Sequence, residues 1–414
     1  MNFVAICLHS LDMRDFHSYM RDTPFLDRLR KRSVFIPMGR GHGHNNKDSI
    51  NAEMTGCWTA RHCDSQLTHD DFRPQTTGWL PRTLIEYLRQ AGYDIFTCQG
   101  SDNMGTAAAA FMPRIWMKHE PERAEQFNTC RGVARDEILE RIKRSDRFYA
   151  HLFLRETHRP WSQNEGLCAL MGKPPAKGWP EDAFCARKAA LDRPDEFAAL
   201  RRRGLARADR IVQQIFEATA DRDDVTYIVY SNHGEVFDHF RTVRPYRNDG
   251  ANMIVGVSHG PYPYEVLYAN MQMWVIPGHP PRTMAGVGRM VDYPATILDL
   301  AGLEHDFMDG ESMLTAFRQG RFAARDRYAE SGLAETGSCI SMVRSDGFKL
   351  IAMNPEPLPA HEQAKEFPEY HRLAVFDLKA DPYEYADIAD SPHGQEVIDW
   401  AVNRHRELKE RPDR

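Results

Sequence analysis

Val225–Tyr230 reads Val-Thr-Tyr-Ile-Val-Tyr, an uncharged β-branched and aromatic run that follows the amphipathic stretch Leu205–Ala218. The same pairing recurs along the chain. Phe3–Leu8, Tyr93–Cys98, Phe148–Leu154 and Met273–Ile276 have strand character. Leu80–Ala91 and Tyr293–Leu300 have helical spacing and are closed by Gly92 and Gly302. Thr23-Pro24 opens a further helix, with Thr as N-cap and Pro at the first helical position. Strands that are apolar on both faces must be covered on both, so this alternation predicts an α/β fold with a mostly parallel sheet flanked by helices. Ligands in such sheets bind beyond the carboxyl ends of the strands, which makes the residues just after each strand the ones to inspect.

Composition narrows the partners. Lys and Arg number 53 against 59 Asp and Glu, a formal net charge of −6. That balance excludes the basic stripe of a non-specific nucleic-acid binder. No apolar run approaches the roughly 20 residues of a membrane span. The run Asn2–Leu8 lacks the basic n-region and cleavage site of a secretory signal, so it is expected to be a first strand. The eight cysteines are scattered without a CxxC pair, as expected for reduced thiols in a cytoplasmic protein.

Two segments break the pattern. Residues 162–197 are rich in Pro, Lys, Gly and Ala without sustained periodicity, and are expected to form a surface insertion or lid. From about residue 321 the character changes. Cys339–Arg344 and Phe348–Met353 flank Ser345-Asp346-Gly347, a hairpin signal, and Ala374–Leu378 and Gln395–Lys409 follow as strand and helix. The expected organisation is a large α/β domain over 1–320 and a small C-terminal α+β subdomain over 321–414, antiparallel with a terminal helix.

Several blocks, in order, carry a family resemblance. Thr23-Pro24-Phe25-Leu26-Asp27-Arg28-Leu29, Ser231-Asn232-His233-Gly234-Glu235, Val291-Asp292-Tyr293-Pro294-Ala295-Thr296, Phe348-Lys349-Leu350-Ile351 and Val375-Phe376-Asp377-Leu378-Lys379-Ala380-Asp381-Pro382-Tyr383-Glu384 resemble motifs of the sulfatase branch of the alkaline phosphatase superfamily. The resemblance spans nearly the whole chain. It implies a sulfatase-like fold and hydrolysis or transfer of a sulfate, phosphate or phosphonate ester, a reaction on a small anionic substrate. It also implies a divalent cation at the strand ends and a nucleophile at a helix start.

The chain departs from that pattern where the chemistry sits. His9-Ser10 replace the adjacent Asp pair after the first strand, and Asn232 replaces the Asp of the S-D-H-G-E block, while His233 remains. These four, His9, Ser10, Asn232 and His233, occupy the metal-ligand positions. The nucleophile position falls on Asn46, so no formylglycine is expected. Lys47 is then the nearest candidate for nucleophilic or anion-binding work, and Ser49 matches the family's Ser. His158 and Arg159 stand in a Thr-His-Arg-Pro-Trp block like the family's PHxPW. Asp102 and His259 lie at further site positions, and His42 and His44 precede the nucleophile helix. The candidate set is thus Lys47, His158 and Ser49 for catalysis, and Asn46, His259, Asp102 and Arg159 for substrate.

No carboxylate remains among the aligned metal positions. Calcium and magnesium want oxygen ligands rich in carboxylate, whereas imidazole suits zinc or another transition ion. The expectation is therefore either a metal-free site or a histidine-bound ion such as zinc. Two other readings stay open beside an atypical ester hydrolase or transferase. One is a catalytically inactive binding protein of this fold; the other is a repurposed enzyme using Lys47 or a histidine-bound transition metal.

Overall fold

A computed structural model describes residues 1–11, 20–43, 46–58, 81–99, 135–154, 156–157, 194–234, 263–333, 337–354 and 372–409. The larger sheet contains β1 (Asn2–Leu8), β2 (Val34–Arg40), β3 (Asp94–Gln99), β4 (Phe148–Leu154), β5 (Val225–Tyr230), β6 (Ala269–Val275) and the short β7 (Arg282–Thr283) and β8 (Gly288–Arg289). Its order is β3-β4-β1-β5-β6-β2-β7, with β8 also paired to β2. β3, β4, β1 and β5 pair in parallel, and β6 runs antiparallel to both β5 and β2. Two inversions leave β2 pointing the same way as β1 and β5. The carboxyl ends of β1, β2, β4 and β5 therefore share one edge. The sheet is α/β and mostly parallel, as the alternation predicts.

The helices among the described residues are α1 (Pro24–Arg30), α2 (Asn46–Thr55), α3 (Leu84–Gln90), α4 (Arg135–Arg144), α5 (Pro194–Ala218), α6 (Glu265–Tyr268), α7 (Tyr293–Ala301), α8 (Leu314–Gln319) and α9 (Pro392–Lys409). On one face of the sheet, Phe3, Cys7, Tyr149, Ile228 and Tyr230 pack with Ile50 and Met54 of α2 and with Tyr293 and Ile297 of α7. On the other, Val4, Ile6, Leu152 and Val229 meet Leu205, Ala208, Val212 and Ile215 of α5. Burial on both faces is why these strands read as unbroken apolar runs.

The cap of α1 and the extent of the irregular stretch differ from expectation, as do the start of α3 at Leu84 and the added strand Arg327–Leu333. Thr23 does not cap α1; its hydroxyl donates to the Met20 carbonyl at 3.4 Å. The cap comes from Asp209 on α5, whose carboxylate accepts Phe25 N–H at 3.1 Å and Leu26 N–H at 2.7 Å. A carboxylate there satisfies two orphan donors and suits the positive end of the helix dipole. The second difference is at 162–197. Helix α5 already begins at Pro194, so the irregular stretch ends earlier than expected; residues 158–193 lie outside the described residues.

The second sheet is antiparallel, in the order β12-β11-β10-β9: β9 (Arg327–Leu333), β10 (Gly337–Val343), β11 (Phe348–Asn354) and β12 (Arg372–Asp377). The β10–β11 hairpin turns at Ser345-Asp346-Gly347, where Gly347 takes φ 102° and donates its N–H to Arg344 O at 2.9 Å. Only glycine enters that region freely. Helix α9 closes this sheet with Val397, Ala401 and Leu408 against Leu350 and Val375.

A buried ionic network joins the two sheets. Glu265 of α6 accepts Arg40 Nε at 2.8 Å and Arg327 Nη1 at 2.9 Å, and lies 3.3 Å from Lys349 Nζ. Lys349 also pairs with Glu384 at 2.6 Å and donates to Pro263 O. Glu384 holds Glu265 N–H at 2.7 Å from a left-handed backbone, φ 60°.

Candidate functional site

The shared edge of the large sheet is built by backbone pairing. Cys7 stands opposite Tyr230 on one side and Phe153 on the other, so the next residues of β1 and β5 leave the sheet together. His9 N–H donates to Leu154 O at 3.0 Å, and the Thr157 hydroxyl donates to His9 O at 2.6 Å. The chain after β4 therefore presses on the end of β1.

His9, Ser10, Asn232 and His233 come together there, all buried. The His9 and His233 rings stand edge to face with centroids 5.3 Å apart, and His9 packs on Phe153 at 4.8 Å. Ser10 adopts φ 58°, a region that costs a non-glycine residue about 1 kcal/mol or more. Its N–H reaches Asn232 Oδ1 at 3.2 Å. Gly41, just after β2, backs this turn: a Cβ there would lie 2.5 Å from Asn232 O. Only a glycine lets the two strand ends approach this closely.

His233 has a definite tautomer. Its Nδ1 lies 2.8 Å from Gly234 O, and a carbonyl can only accept, so Nδ1 carries the proton. Nε2 keeps its lone pair and faces the Ser10 hydroxyl at 3.5 Å. Burial pushes the imidazole down to about 4, despite the help of the Gly234 carbonyl, so the ring is neutral at physiological pH.

Helix α2 starts at Asn46. The side chains of Asn46 and Lys47 lie outside the described residues, so only their place in the first turn is established. Ser49 is buried and donates its hydroxyl to Gly43 O at 3.0 Å, tying the helix start to the loop after β2. That bond already occupies the hydroxyl proton that the nucleophile reading would have to spend. Asp102, His158, Arg159, His259 and His44 lie outside the described residues. His42 is engaged at the seam between the sheets: Nδ1 is 3.1 Å from Tyr328 O, and the ring stands edge-on to Trp58 at 4.6 Å. A cavity of about 320 Å³ lies on that seam, lined by Trp58, Arg325, Tyr328 and Trp400 among others, and none of the four strand-end residues lines it.

Sequence reasoning missed a polar layer directly beneath the site. Glu53 of α2 reaches Tyr230 of β5, which in turn meets His151 of β4. The available signal was an acid between Ile50 and Met54, both of which face the core.

A family model described as Sulfatase matches residues 1–303. The chain belongs to the sulfatase family. Its fold is similar to that of a phosphonate monoester hydrolase of Agrobacterium radiobacter, with a TM-score of 0.63 and 14% identity over 99% of this chain and 95% of the other. It is also similar to a 2-O glycosaminoglycan sulfatase, with a TM-score of 0.64 and 13% identity over 98% and 92%. A third structure, of a protein in complex with its substrate D-glucosamine-2-N,6-O-disulfate, has a TM-score of 0.63 and 13% identity over 99% and 98%. Identities this low establish shared fold only. No curated protein matches significantly.

The donor set of His9, Ser10, Asn232 and His233 decides whether a calcium or magnesium ion fits there. At the joined ends of β1 and β5 it consists of two imidazoles, a hydroxyl and a carboxamide. A hard dication is held by six to eight oxygens, carboxylates prominent among them. These four residues do not fit one.

Proposed function

We propose that this protein is a sulfatase-like hydrolase or transferase acting on a sulfate, phosphate or phosphonate ester, with a strand-end site that does not depend on calcium or magnesium. The observation that carries the reading is the convergence of His9, Ser10, Asn232 and His233 at the joined ends of β1 and β5, with no carboxylate among them. Removing carboxylates makes the cleft less repulsive to an anion. The N–H groups at the start of α2, together with the positive charge of a lysine at position 47, supply positive potential for the anionic group. Neutral His233 offers the Nε2 lone pair to a proton leaving the attacking hydroxyl or water, while Asn232 and the Ser10 turn hold it in place. General-base help of this kind contributes typically about 10²–10⁴-fold.

Turnover of aryl sulfates, aryl phosphate monoesters and aryl phosphonate monoesters by the full chain tests this. One of the three classes is expected to be cleaved in the presence of chelator. Lys47→Ala should lower kcat/KM about 100-fold or more, the scale of losing one charge-stabilising group, and Ser49→Ala by much less. No cleavage of any class would favour the inactive binding protein, and full activity in Lys47→Ala would remove that residue from the site.

A further inference from the structure

The seam between the two sheets holds a cavity of about 320 Å³. Ligand pockets run from roughly 300 to 1,000 Å³ and form preferentially between packed units, so this one has room for a single ring. Its walls are fixed before any ligand arrives. Trp58, Arg289 and Tyr328 are buried. The Arg289 guanidinium lies 5.6 Å over the Trp58 ring, and the Tyr328 ring stacks on His405 at 5.9 Å. Asp292, fully buried behind the lining, accepts Arg289 Nη2 at 2.7 Å and Arg325 Nη2 at 2.6 Å. Trp400 on α9 differs from the other aromatic walls. It packs on the C-terminal core but is only half-buried, so part of its indole stays open to a ligand.

The charges around the cavity are mixed and already balanced. Among the described residues the lining holds Arg289, Arg325, Arg327 and Arg404, and against them Asp309, Glu311 and Asp326. Arg289 and Arg325 converge on Asp292, Glu265 holds Arg327 Nη1 at 2.9 Å, and Glu407 holds Arg404 Nη1 at 2.7 Å. No surplus of positive charge is left to capture a free sulfate or phosphate. A quaternary ammonium is disfavoured as well, because Arg289 already occupies the face of Trp58. What remains is directional hydrogen bonding. A guanidinium only donates and a carboxylate only accepts. Asp309 Oδ2 accepts Trp58 N–H at 2.9 Å and Asp326 Oδ1 accepts Ser345 N–H at 2.9 Å; a carboxylate has about four lone-pair sites, so each keeps capacity for more. A hydroxyl both donates and accepts, so it can use both kinds of neighbour at once. A ring with several hydroxyls and an apolar face therefore matches paired charges beside an open indole.

We infer that the seam cavity is a binding site for a neutral sugar ring, stacked on Trp400 and held through its hydroxyls by the surrounding Arg, Asp and Glu side chains. Helix α2 has 10 residues, about 15 Å at 1.5 Å per residue, and Trp58 lies beyond its far end. The sugar site is therefore separate from the strand ends and does not depend on the ester chemistry proposed there.

Saturation-transfer NMR on the full chain tests this, with the methyl glycosides of glucose, galactose, mannose and N-acetylglucosamine as probes. At least one should bind with a Kd of about 1–10 mM, the scale of so small a ligand. Trp400→Ala should weaken it about tenfold or more, and Trp400→Phe, which keeps a ring, by less. Binding should persist in Lys47→Ala. No transfer to any of the four glycosides overturns the proposal, as does undiminished binding in Trp400→Ala. Displacement of the glycoside by inorganic sulfate would make this an anion site, displacement by tetramethylammonium a cation site, and loss in Lys47→Ala would move the sugar to the strand ends; each result sinks the proposal. Should Trp400→Ala fail to melt cooperatively, Arg404→Ala and Glu311→Gln decide. Both positions are solvent-accessible, and each change should weaken binding about threefold or more, the worth of one hydrogen bond. Unchanged affinity in both overturns the proposal.

Discussion

Glu265→Ala is expected to destabilise the protein by about 3–5 kcal/mol, the usual cost of breaking a buried ionic network by removing one partner. Glu265 is met by Arg40 from the end of β2, Arg327 from the start of β9 and Lys349 from β11. Lys349 is fully buried. The three cations hold the Glu265 carboxyl well below the usual carboxylate range against the desolvation that would raise it. Without Glu265, three cations are left with Glu384 as their remaining partner in the network, and burial leaves water little access to compensate. Because the network joins the two sheets, the C-terminal sheet and α9 should lose hydrogen-exchange protection first. Urea unfolding checks the magnitude. A loss below about 1 kcal/mol would mean that water enters the network freely. Glu265→Gln, which keeps the shape and removes the charge, separates electrostatics from packing.

The second large effect is on the pH profile of stability. His42, His151 and His233 are pushed from 6.5 down to about 3, 4 and 4, chiefly by burial. Between about pH 4 and 6.5 the unfolded chain therefore binds up to three protons more than the folded one, and stability rises with pH. Glu53 acts oppositely. Its folded value near 8 against an ordinary 4.5 means that the folded state holds one extra proton between those limits, so stability falls as pH rises. Where the windows overlap, about pH 4.5–6.5, three minus one leaves a net gain from these four groups of up to about 2.7 kcal/mol per pH unit. Above 6.5 only the Glu53 slope remains, about −1.4 kcal/mol per unit up to pH 8. The four groups together predict maximal stability near pH 6.5. Denaturant midpoints across pH 4.5–8.5 measure it, and Glu53→Gln should flatten the alkaline limb while leaving the acid limb. A stability that climbs steadily to pH 8 would contradict the burial of a neutral Glu53.

Much of the fold is legible in the sequence for a physical reason. β1 and β5 are covered on both faces, so every residue from Phe3 to Leu8 and from Val225 to Tyr230 is buried, and the strands read as continuous apolar runs. Capping was less legible. Thr23-Pro24 has the local signature of an N-cap, but the Asp209 carboxylate, far away in the sequence, takes that role. β9 carries Arg327, Glu330, Ser331 and Gly332, and no local pattern marks it; it forms by pairing with β10 along its length. At the site, the strand-end histidines were readable through the family motifs, and the structure brings His9 and His233 together. The Ser49 tie to Gly43 and the Glu53–Tyr230 contact were not, because each depends on which way a helix faces.

The proposed strand-end site handles an anion without a hard dication. Calorimetric titration of calcium and magnesium into chelator-treated full-length protein, with zinc as the comparison ion, addresses it most directly. His9, Ser10, Asn232 and His233 should give no calcium or magnesium binding tighter than about 1 mM, the weak end of protein calcium sites, and any tight binding should be confined to zinc. Micromolar calcium or magnesium affinity at this site would contradict the account.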